Sequence, residues 1–280
     1  MLQFQLFRIK VYPAEQRELF DAERSRSEML REVVTSLPSA DFREGLMWHI
    51  GNVTPIDASG LYFRLGRASR ERLELYDASA HRFVDQEFET APYTHVVLDV
   101  DLEVCAIAKK VRLAPSTSNI AQRFARLMNA SDRAHEMRAN FDVDDIKDPA
   151  DFISQLSSAY SISKFWMIVS RPNAFDADAF VKPFQQVLES ANGDKGKAEL
   201  RGENLNSEQL ERLARAAAAT GDDAGAWLKP NKGAKRTKKQ LRGNPANIAQ
   251  DDVSDATARK RLLNHLRSFY KKIRGSGDES

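Results

Sequence analysis

Three acidic residues and a lysine in the middle of the chain come closest to a catalytic pattern. Asp99, Asp101 and Glu103 stand at alternate positions, and Lys109 follows them. Carboxylates of this kind bind Mg²⁺, and a lysine beside them can help to activate water, so the chemistry would be metal-dependent cleavage of nucleic acid. Such sites place an acid two residues before the lysine, where this chain has Ile107. The pattern therefore favours a polar hairpin turn with structural acids over a nuclease site.

The other reactive residue types also form no recognisable site. The five histidines are scattered without zinc-ligand spacing. Cys105 is the single cysteine and lies in an apolar run, so we expect a small buried side chain and not a nucleophile. The turn at residues 193–197 lacks the spacing and the following Ser or Thr of a phosphate-binding P-loop. The sequence therefore predicts no catalytic residue, no metal ligand and no cofactor, and it favours a non-enzymatic protein.

The end of the chain is strongly basic, and this asymmetry is the most informative feature of the sequence. Residues 226–280 contain fourteen Lys or Arg but five Asp or Glu, a net charge of +9. The whole chain has a net charge of +2, so residues 1–225 carry a net charge of −7. An acidic body with a basic end indicates a polyanionic partner for the basic part.

The candidate contacts are the cations of a basic loop and of one side of a final helix. They are Lys232, Lys235, Arg236, Lys238, Lys239, Arg242, Arg259, Lys260, Arg267, Lys271, Lys272 and Arg274. Lys and Arg neutralise phosphates whatever the base sequence, so the leading hypothesis is a protein that binds the phosphate backbone of DNA or RNA. The alternatives are a solvated surface without a partner, an adaptor that docks on an acidic protein, and a metal-dependent nuclease that uses Asp99, Asp101 and Glu103.

Three predicted regions position these residues. Residues 1–113 are expected to form a mainly antiparallel β domain with one long helix over about residues 14–37. In the first strand, apolar residues occupy one face from Leu2 to Leu6 and the other face from Phe7 to Val11, which predicts a β-bulge near residues 6 and 7. A hairpin that turns near residue 100 ends this region.

Residues 114–230 are expected to form an α/β domain. Ser116 or Thr117 caps its first helix, Arg133–Val143 alternates like a half-buried strand, and Asp148–Pro149 starts a second helix. Lys164–Ser170 is apolar on both faces and is expected at the centre of a sheet. The further predicted elements are a helix at Asp176–Ala191, a strand at Lys197–Arg201, a helix at Ser207–Thr220 with Gly221 as its C-cap, and a strand at Ala224–Lys229. Strands that alternate with helices indicate an α/β sheet, with a split ferredoxin-like sheet as the alternative.

Residues 231–280 are expected to be a basic loop followed by an amphipathic helix. The Pro, Gly and polar residues of Lys229–Lys239 predict a loop, and Ser254 or Asp255 caps a helix that reaches Arg274. The sequence as a whole is therefore predicted to fold as an α+β protein. Its first residues lack the apolar core of a signal peptide, and no apolar run is long enough to cross a bilayer. The cytoplasm is the expected location, and a membrane is not an expected partner.

Four stretches in the middle of the chain carry a resemblance to other proteins. They are Tyr93–Asp101, Val104–Lys110, the helix start Ser116–Ala121, and Ser170–Asn173. Over about residues 60–175 the sequence resembles uncharacterised bacterial proteins of phage-defence and mobile-element loci. The resemblance implies defence-related work on nucleic acid, with self-association or a partner protein of the defence system as further expectations. It supplies no active-site residues.

Overall fold

A computed structural model describes residues 1–13, 24–43, 45–170, 181–243 and 245–275, and it confirms the α+β class. Within these residues, the helices are α1 (Arg26–Thr35), α2 (Thr117–Asn129), α3 (Asp132–Glu136), α4 (Ala150–Ser157), α5 (Lys182–Ser190), α6 (Ser207–Thr220) and α7 (Ala256–Arg274). The strands are β1 (Leu2–Pro13), β2 (Ser39–Asp41), β3 (Leu46–Pro55), β4 (Gly60–Asp77), β5 (Arg82–Thr90), β6 (Tyr93–Asp99), β7 (Val104–Ala108), β8 (Ala139–Asp145), β9 (Ser161–Ser170), β10 (Lys195–Arg201), β11 (Ala224–Lys229), β12 (Thr237–Gln240) and β13 (Asn247–Gln250). They form two antiparallel sheets.

The larger sheet has nine strands in the order β13-β1-β7-β6-β4-β3-β2, with β5 paired to β4 and β8 paired to β1. Strand β1 is the second strand from one side of this sheet: β7 pairs with one edge of β1, and β13 and β8 follow one another along its other edge. Helices α1, α2 and α3 bury one face of this sheet, and α7 packs on the opposite face. Because β8 and β13 both pair with β1, the sheets do not follow the expected boundaries at residues 113 and 230.

Strand β1 carries two buried charges on the face that meets α7. Arg8 and Lys10 continue the face that begins with Phe4 and Leu6, and the register of β1 with β7 and β8 runs without interruption. The predicted β-bulge near residues 6 and 7 is therefore wrong. The apolar pattern changes phase because β1 is buried on both faces, and two cations replace apolar residues on one of them.

The smaller sheet has four strands in the order β10-β9-β11-β12. Strand β9 has neighbours on both sides, which confirms the predicted central position of Lys164–Ser170. Phe165, Met167 and Ala226 lie in the core that this sheet shares with α5, α6 and the larger sheet. Strands alternate with helices along the chain, as expected for an α/β region. Their pairing is antiparallel, however, since β10 and β11, which flank β9, both run opposite to it.

Several helix ends lie where the sequence placed them. Ser116 caps α2 and Asp255 caps α7, each through a side chain that accepts a hydrogen bond from a backbone amide. Gly221 ends α6 with a φ of 76°, in the left-handed region that favours glycine. Helix α4 begins one residue later than predicted, at Ala150, with Pro149 as its N-cap, and the Asp148 carboxylate accepts a hydrogen bond from the amide of Ala150. These ends satisfy backbone groups that the first and last turns of a helix leave without partners.

Two other predicted elements are wrong. The side chain of Ser131 caps α3 and interrupts the expected strand at Arg133–Val143, so that strand β8 begins at Ala139. The expected loop at Lys229–Lys239 ends in a strand, because β12 pairs with β11 as a hairpin.

Parts of two predicted helices lie outside the described residues. Of the helix expected at about residues 14–37, the structure describes α1, and residues 14–23 lie outside the described part of the chain. Of the helix expected at residues 176–191, it describes α5, and residues 176–180 lie outside. In the described residues, no helix combines the length and the apolar character that crossing a membrane requires.

Candidate nucleic-acid interface

The acids of the expected hairpin turn face cations and backbone amides. Asp99 is buried and accepts hydrogen bonds from the amides of Asp101 and Leu102, at 3.1 and 2.9 Å, which closes the turn. Glu103 is buried and pairs with Arg8 at 3.0 Å. Among the residues that the structure describes, no group of three or more His, Cys, Asp or Glu side chains could hold a metal ion. Asp99 and Glu103 therefore each have structural partners of their own.

One predicted phosphate contact, Arg267, is engaged in a network that holds α7 against the larger sheet. Its guanidinium group donates two hydrogen bonds to Asp57, at 2.8 and 3.0 Å, and others to Ser59 at 2.7 Å and Asp99 at 2.5 Å. Arg267 lowers the pKa of Asp57 to about 2, through these hydrogen bonds and its charge. The guanidinium group of Arg267 is thus engaged inside the fold, which leaves it poorly placed to contact a phosphate.

The other predicted contacts are spread over several surfaces. The β11–β12 turn carries Lys232, Lys235 and Arg236; β12 and the residues after it carry Lys238, Lys239 and Arg242; α7 carries Arg259, Lys260, Lys271, Lys272 and Arg274. Lys238 and Lys239 are neighbours in a strand, so their side chains point to opposite faces of the sheet. A groove of about 500 Å³ beside Asp151 and Gln155 of α4 is lined by Lys238, Lys239 and Arg242. The structure thus does not unite the basic C-terminal segment in one patch.

A different basic surface lies on the outer face of the smaller sheet, away from its helices. The strand registers place on it Lys164 and Trp166 of β9, Lys197, Glu199 and Arg201 of β10, Trp227 of β11 and Lys238 of β12. We call these seven side chains the tryptophan face. Lys238 is the single residue that it shares with the contacts predicted from the sequence.

Trp166 lies at the centre of this face, across the backbone of Gly225. A Cβ atom at Gly225 would stand 2.7 Å from two atoms of the indole ring, so the glycine provides the space that the ring occupies. The ammonium groups of Lys197 and Lys238 lie 5.4 and 5.8 Å from the ring centre, within the range of cation–π attraction. The indole is therefore held flat on the sheet between two cations.

Trp227 is the second aromatic residue of the face and is 38% exposed. It stands directly opposite Lys164 on one neighbouring strand and Lys238 on the other. Because Trp166 pairs with Gly225, the two tryptophans form a diagonal cross-strand pair, with Cα atoms about 7–8 Å apart. Aromatic and cationic side chains thus alternate across the sheet.

Glu199 is the acid of the tryptophan face, and the cations around it outnumber it. Its carboxylate pairs with Lys164 at 2.8 Å, Arg201 at 2.7 Å and Lys197 at 3.4 Å. Hydrogen bonds from Lys164 and Arg201 lower the pKa of Glu199 to about 2, so the carboxylate is charged at neutral pH. Among these seven side chains, four cations against one acid give a net charge of +3, and Lys195 of β10 lies on the same side of the sheet.

Comparisons with known proteins add no assignment. No protein-family model matches the chain, and no curated protein is significantly similar to it. The chemistry of the tryptophan face is therefore the basis for a functional assignment.

The sequence contained part of the signal for this face, but not its geometry. Lys195–Arg201 alternates charged and small or apolar residues, and Trp166 and Trp227 each lie in a strand that was predicted. The two tryptophans are diagonal neighbours because of the β9–β11 register, which no local sequence pattern specifies. Cys105, in contrast, is buried as its apolar neighbours predict, and burial raises the pKa of its thiol.

Proposed function

We propose that the protein binds single-stranded nucleic acid through the tryptophan face. The observation that carries the proposal is the pair of tryptophans set among cations on the open side of an antiparallel sheet. Proteins that bind single strands combine aromatic side chains, on which bases stack, with cations that follow the phosphates. Two successive bases would stack on Trp166 and Trp227. The phosphates between and beside these bases would be contacted by Lys164, Lys197 and Lys238.

A single strand suits this face better than a duplex. Bases in a duplex are stacked on one another, so their flat surfaces cannot reach an indole, whereas an unpaired strand exposes them. Stacking of a base on an aromatic side chain contributes about 1–3 kcal/mol and tolerates every base, because each base has a π-face. The proposal therefore predicts slight sequence preference, and binding to either DNA or RNA.

The β11–β12 turn extends the same charge beyond the sheet. Lys238 lies two residues after Arg236, and the exposed side chains of Lys232 and Lys235 precede it in the turn. A strand that leaves the tryptophan face at this end would meet these cations next. This arrangement retains part of the sequence-based hypothesis but moves the centre of the site to β9 and β11.

Intrinsic fluorescence tests the proposal, because the chain has three tryptophans and the third, Trp48, is buried. In a Trp48→Phe variant, all tryptophan emission comes from the tryptophan face. We expect titration with oligothymidylate or oligouridylate to quench this emission and to give the same affinity as the unsubstituted protein. Trp166→Ala and Trp227→Ala should each weaken binding roughly tenfold or more. Equal binding by a Trp166→Ala, Trp227→Ala double variant would refute the proposal.

The alternatives predict different results. An adaptor that docks on an acidic protein uses the cations of the face but has no reason to need both indole rings. For a metal-dependent nuclease, the positions of Asp99 and Glu103 give no support, because these acids pair with Arg267 and Arg8. A role in phage defence and a location in the cytoplasm remain predictions from the sequence.

A further inference from the structure

A second cluster of cations lies on the larger sheet, apart from the tryptophan face. Arg64 of β4 and His95 of β6 are direct cross-strand partners on the sheet face that carries α7. Lys110 follows β7, and Arg259 lies in the first turn of α7. Burial of His95 lowers the pKa of its imidazole, and the positive charges of Arg64, Lys110 and Arg259 lower it further.

The charge of this cluster is not neutralised. Among the described residues, no carboxylate forms an ion pair with Arg64, Lys110 or Arg259. The Nε atom of Arg64 is buried and lacks a hydrogen-bond partner. The acid that acts on His95 is Asp252, and it already accepts a hydrogen bond from the backbone amide of Ser254. Because this Nε atom is closed to solvent, an anion would contact Arg64 at the outer Nη atoms of its guanidinium, and its charge would balance the cations of the cluster.

Aromatic rings hold the cationic groups in place. The guanidinium of Arg64 lies 4.4 Å from the ring centre of Tyr93, and that of Arg259 lies 3.9 Å from the ring centre of Tyr62. The Tyr62 hydroxyl and the Nδ1 atom of His95 are 2.8 Å apart, so the imidazole is fixed as well. Arg259 also donates hydrogen bonds from Nε to the carbonyl oxygen of Val253 at 3.0 Å and from Nη2 to that of Ser254 at 2.9 Å, so its Nη1 atom is the one that would contact a phosphate oxygen. Guanidinium groups held in this way are suited to phosphate, because their N–H groups are fixed in direction.

We infer that Arg64, His95, Lys110 and Arg259 form a binding site for a phosphate group. The group is either free phosphate or the terminal phosphate of a nucleotide chain. The inference goes beyond the proposed function, because none of the four residues belongs to the tryptophan face.

A bound anion changes the titration of His95. The neighbouring cations disfavour the imidazolium form, and a dianion beside them favours it, so binding must raise the pKa of His95. By linkage, the anion must also bind more tightly as the pH falls through that pKa. Sulfate is the suitable probe for this pH dependence, because it remains a dianion over the range in which histidine titrates.

Proton NMR of the five histidines tests the inference directly. We expect inorganic phosphate and sulfate to raise the pKa of His95 and to leave the other four histidines unchanged. Arg64→Gln and Lys110→Gln should each weaken phosphate binding roughly tenfold or more, since each removes a charged donor. Lys271→Gln removes an exposed charge elsewhere on α7 and should have no effect. Lys110 is also exposed, so its variant tests the site without a risk to the fold.

A second set of titrations separates the two sources of phosphate and separates this site from the tryptophan face. In the Trp166→Ala, Trp227→Ala variant, an oligonucleotide with a 5′-phosphate is compared with the same oligonucleotide ending in a 5′-hydroxyl. Tighter binding of the phosphorylated form identifies the end of a nucleotide chain as the ligand; equal binding, with a His95 shift in inorganic phosphate, identifies free phosphate. If neither phosphate nor sulfate moves the His95 pKa, or if the shift persists in both Arg64→Gln and Lys110→Gln, the site does not exist.

Discussion

The ammonium group of Lys10 lies 2.7 Å from the hydroxyl oxygen of Ser170, and this contact joins strand β1 of the larger sheet to the last residue of β9. Lys10 is 3% exposed and also pairs with Asp144 at 2.8 Å and with Asp222 at 3.4 Å. Ser170 in turn donates a hydrogen bond to Asp222 at 2.7 Å. One buried lysine thus connects both sheets and the turn after α6.

Replacement of Lys10 by Met should destabilise the protein by about 3–5 kcal/mol, because it leaves the largely buried Asp222 without its cation. Ser170→Ala keeps both ion pairs and should cost about 1 kcal/mol. Urea denaturation followed by far-UV circular dichroism measures both changes. Lys109→Met is the matched control, since Lys109 is exposed. An unfolding midpoint in Lys10→Met equal to that of the control would show that the cluster does not hold the sheets together.

The Arg267–Asp57 pair should make part of the stability depend on acid pH. The ordinary pKa of an aspartate is 3.8, and in the folded protein that of Asp57 is about 2. A lowered pKa contributes stability above about pH 4, and this contribution is lost as the pH falls towards 2. Because the Asp57 side chain is 31% exposed, we expect its size to be on the order of 1 kcal/mol.

Urea unfolding of Arg267→Gln at several pH values isolates this contribution. The variant should be less stable than the unsubstituted protein at pH 7, and the difference between them should shrink between pH 4 and pH 2. A difference that stays constant over this range would mean that packing, and not the charge of Asp57, explains the role of Arg267.

Gly225→Ala should weaken single-strand binding without unfolding the protein. The added methyl group meets the indole of Trp166 and must push the ring off the sheet, so we expect a loss of affinity similar to that of Trp166→Ala, roughly tenfold. Gly233→Ala is the control, because a Cβ atom at Gly233 meets nothing within 4 Å. Affinity is measured by fluorescence anisotropy of a labelled oligothymidylate. If both glycine variants bind alike, the position of Trp166 does not matter for binding.

The salt dependence of binding should follow the cations of the tryptophan face. On a single strand each phosphate contact contributes about −0.7 to the log–log slope of affinity against salt, so Lys164, Lys197 and Lys238 together predict roughly −2. Replacing all three by Gln should flatten the slope by about that amount. The control replaces Lys260, Lys271 and Lys272 by Gln, which removes the same charge from α7. A larger change in the control than in the first variant would place the nucleic acid on α7.

The features that the sequence predicted correctly depend on residues close together in the chain. A capping residue such as Ser116 or Asp255 needs an amide within the next turn of its own helix, and Gly221 adopts a backbone conformation that other residues avoid. Such requirements can be predicted from a few consecutive residues of the sequence. The central position of β9 was equally visible, because its run of apolar residues is unusual outside the middle of a sheet.

The features that the sequence did not predict depend on contacts between distant segments. Arg8 and Lys10 look like solvent-exposed residues until Glu103 and Asp222 are seen beside them. The sequence shows that cations are concentrated in the C-terminal segment. Charge alone, however, does not predict that Arg267 donates hydrogen bonds to Asp57. In the same way, the pairing of Trp166 with Gly225 is a consequence of register, which the whole fold determines.

Strands β10 and β12 form the two outer edges of the smaller sheet in the described part of the chain, and both are rich in lysine. An unpaired edge offers its N–H and C=O groups to any other strand, and lysine side chains discourage such pairing through charge and hydration. We therefore expect Lys197 and Lys238 to discourage edge-to-edge pairing of two copies of the protein, whatever ligand they also bind. Loss of these charges should promote aggregation. When a nucleic-acid strand neutralises the lysines, its own negative charge would have to repel a second copy of the protein instead.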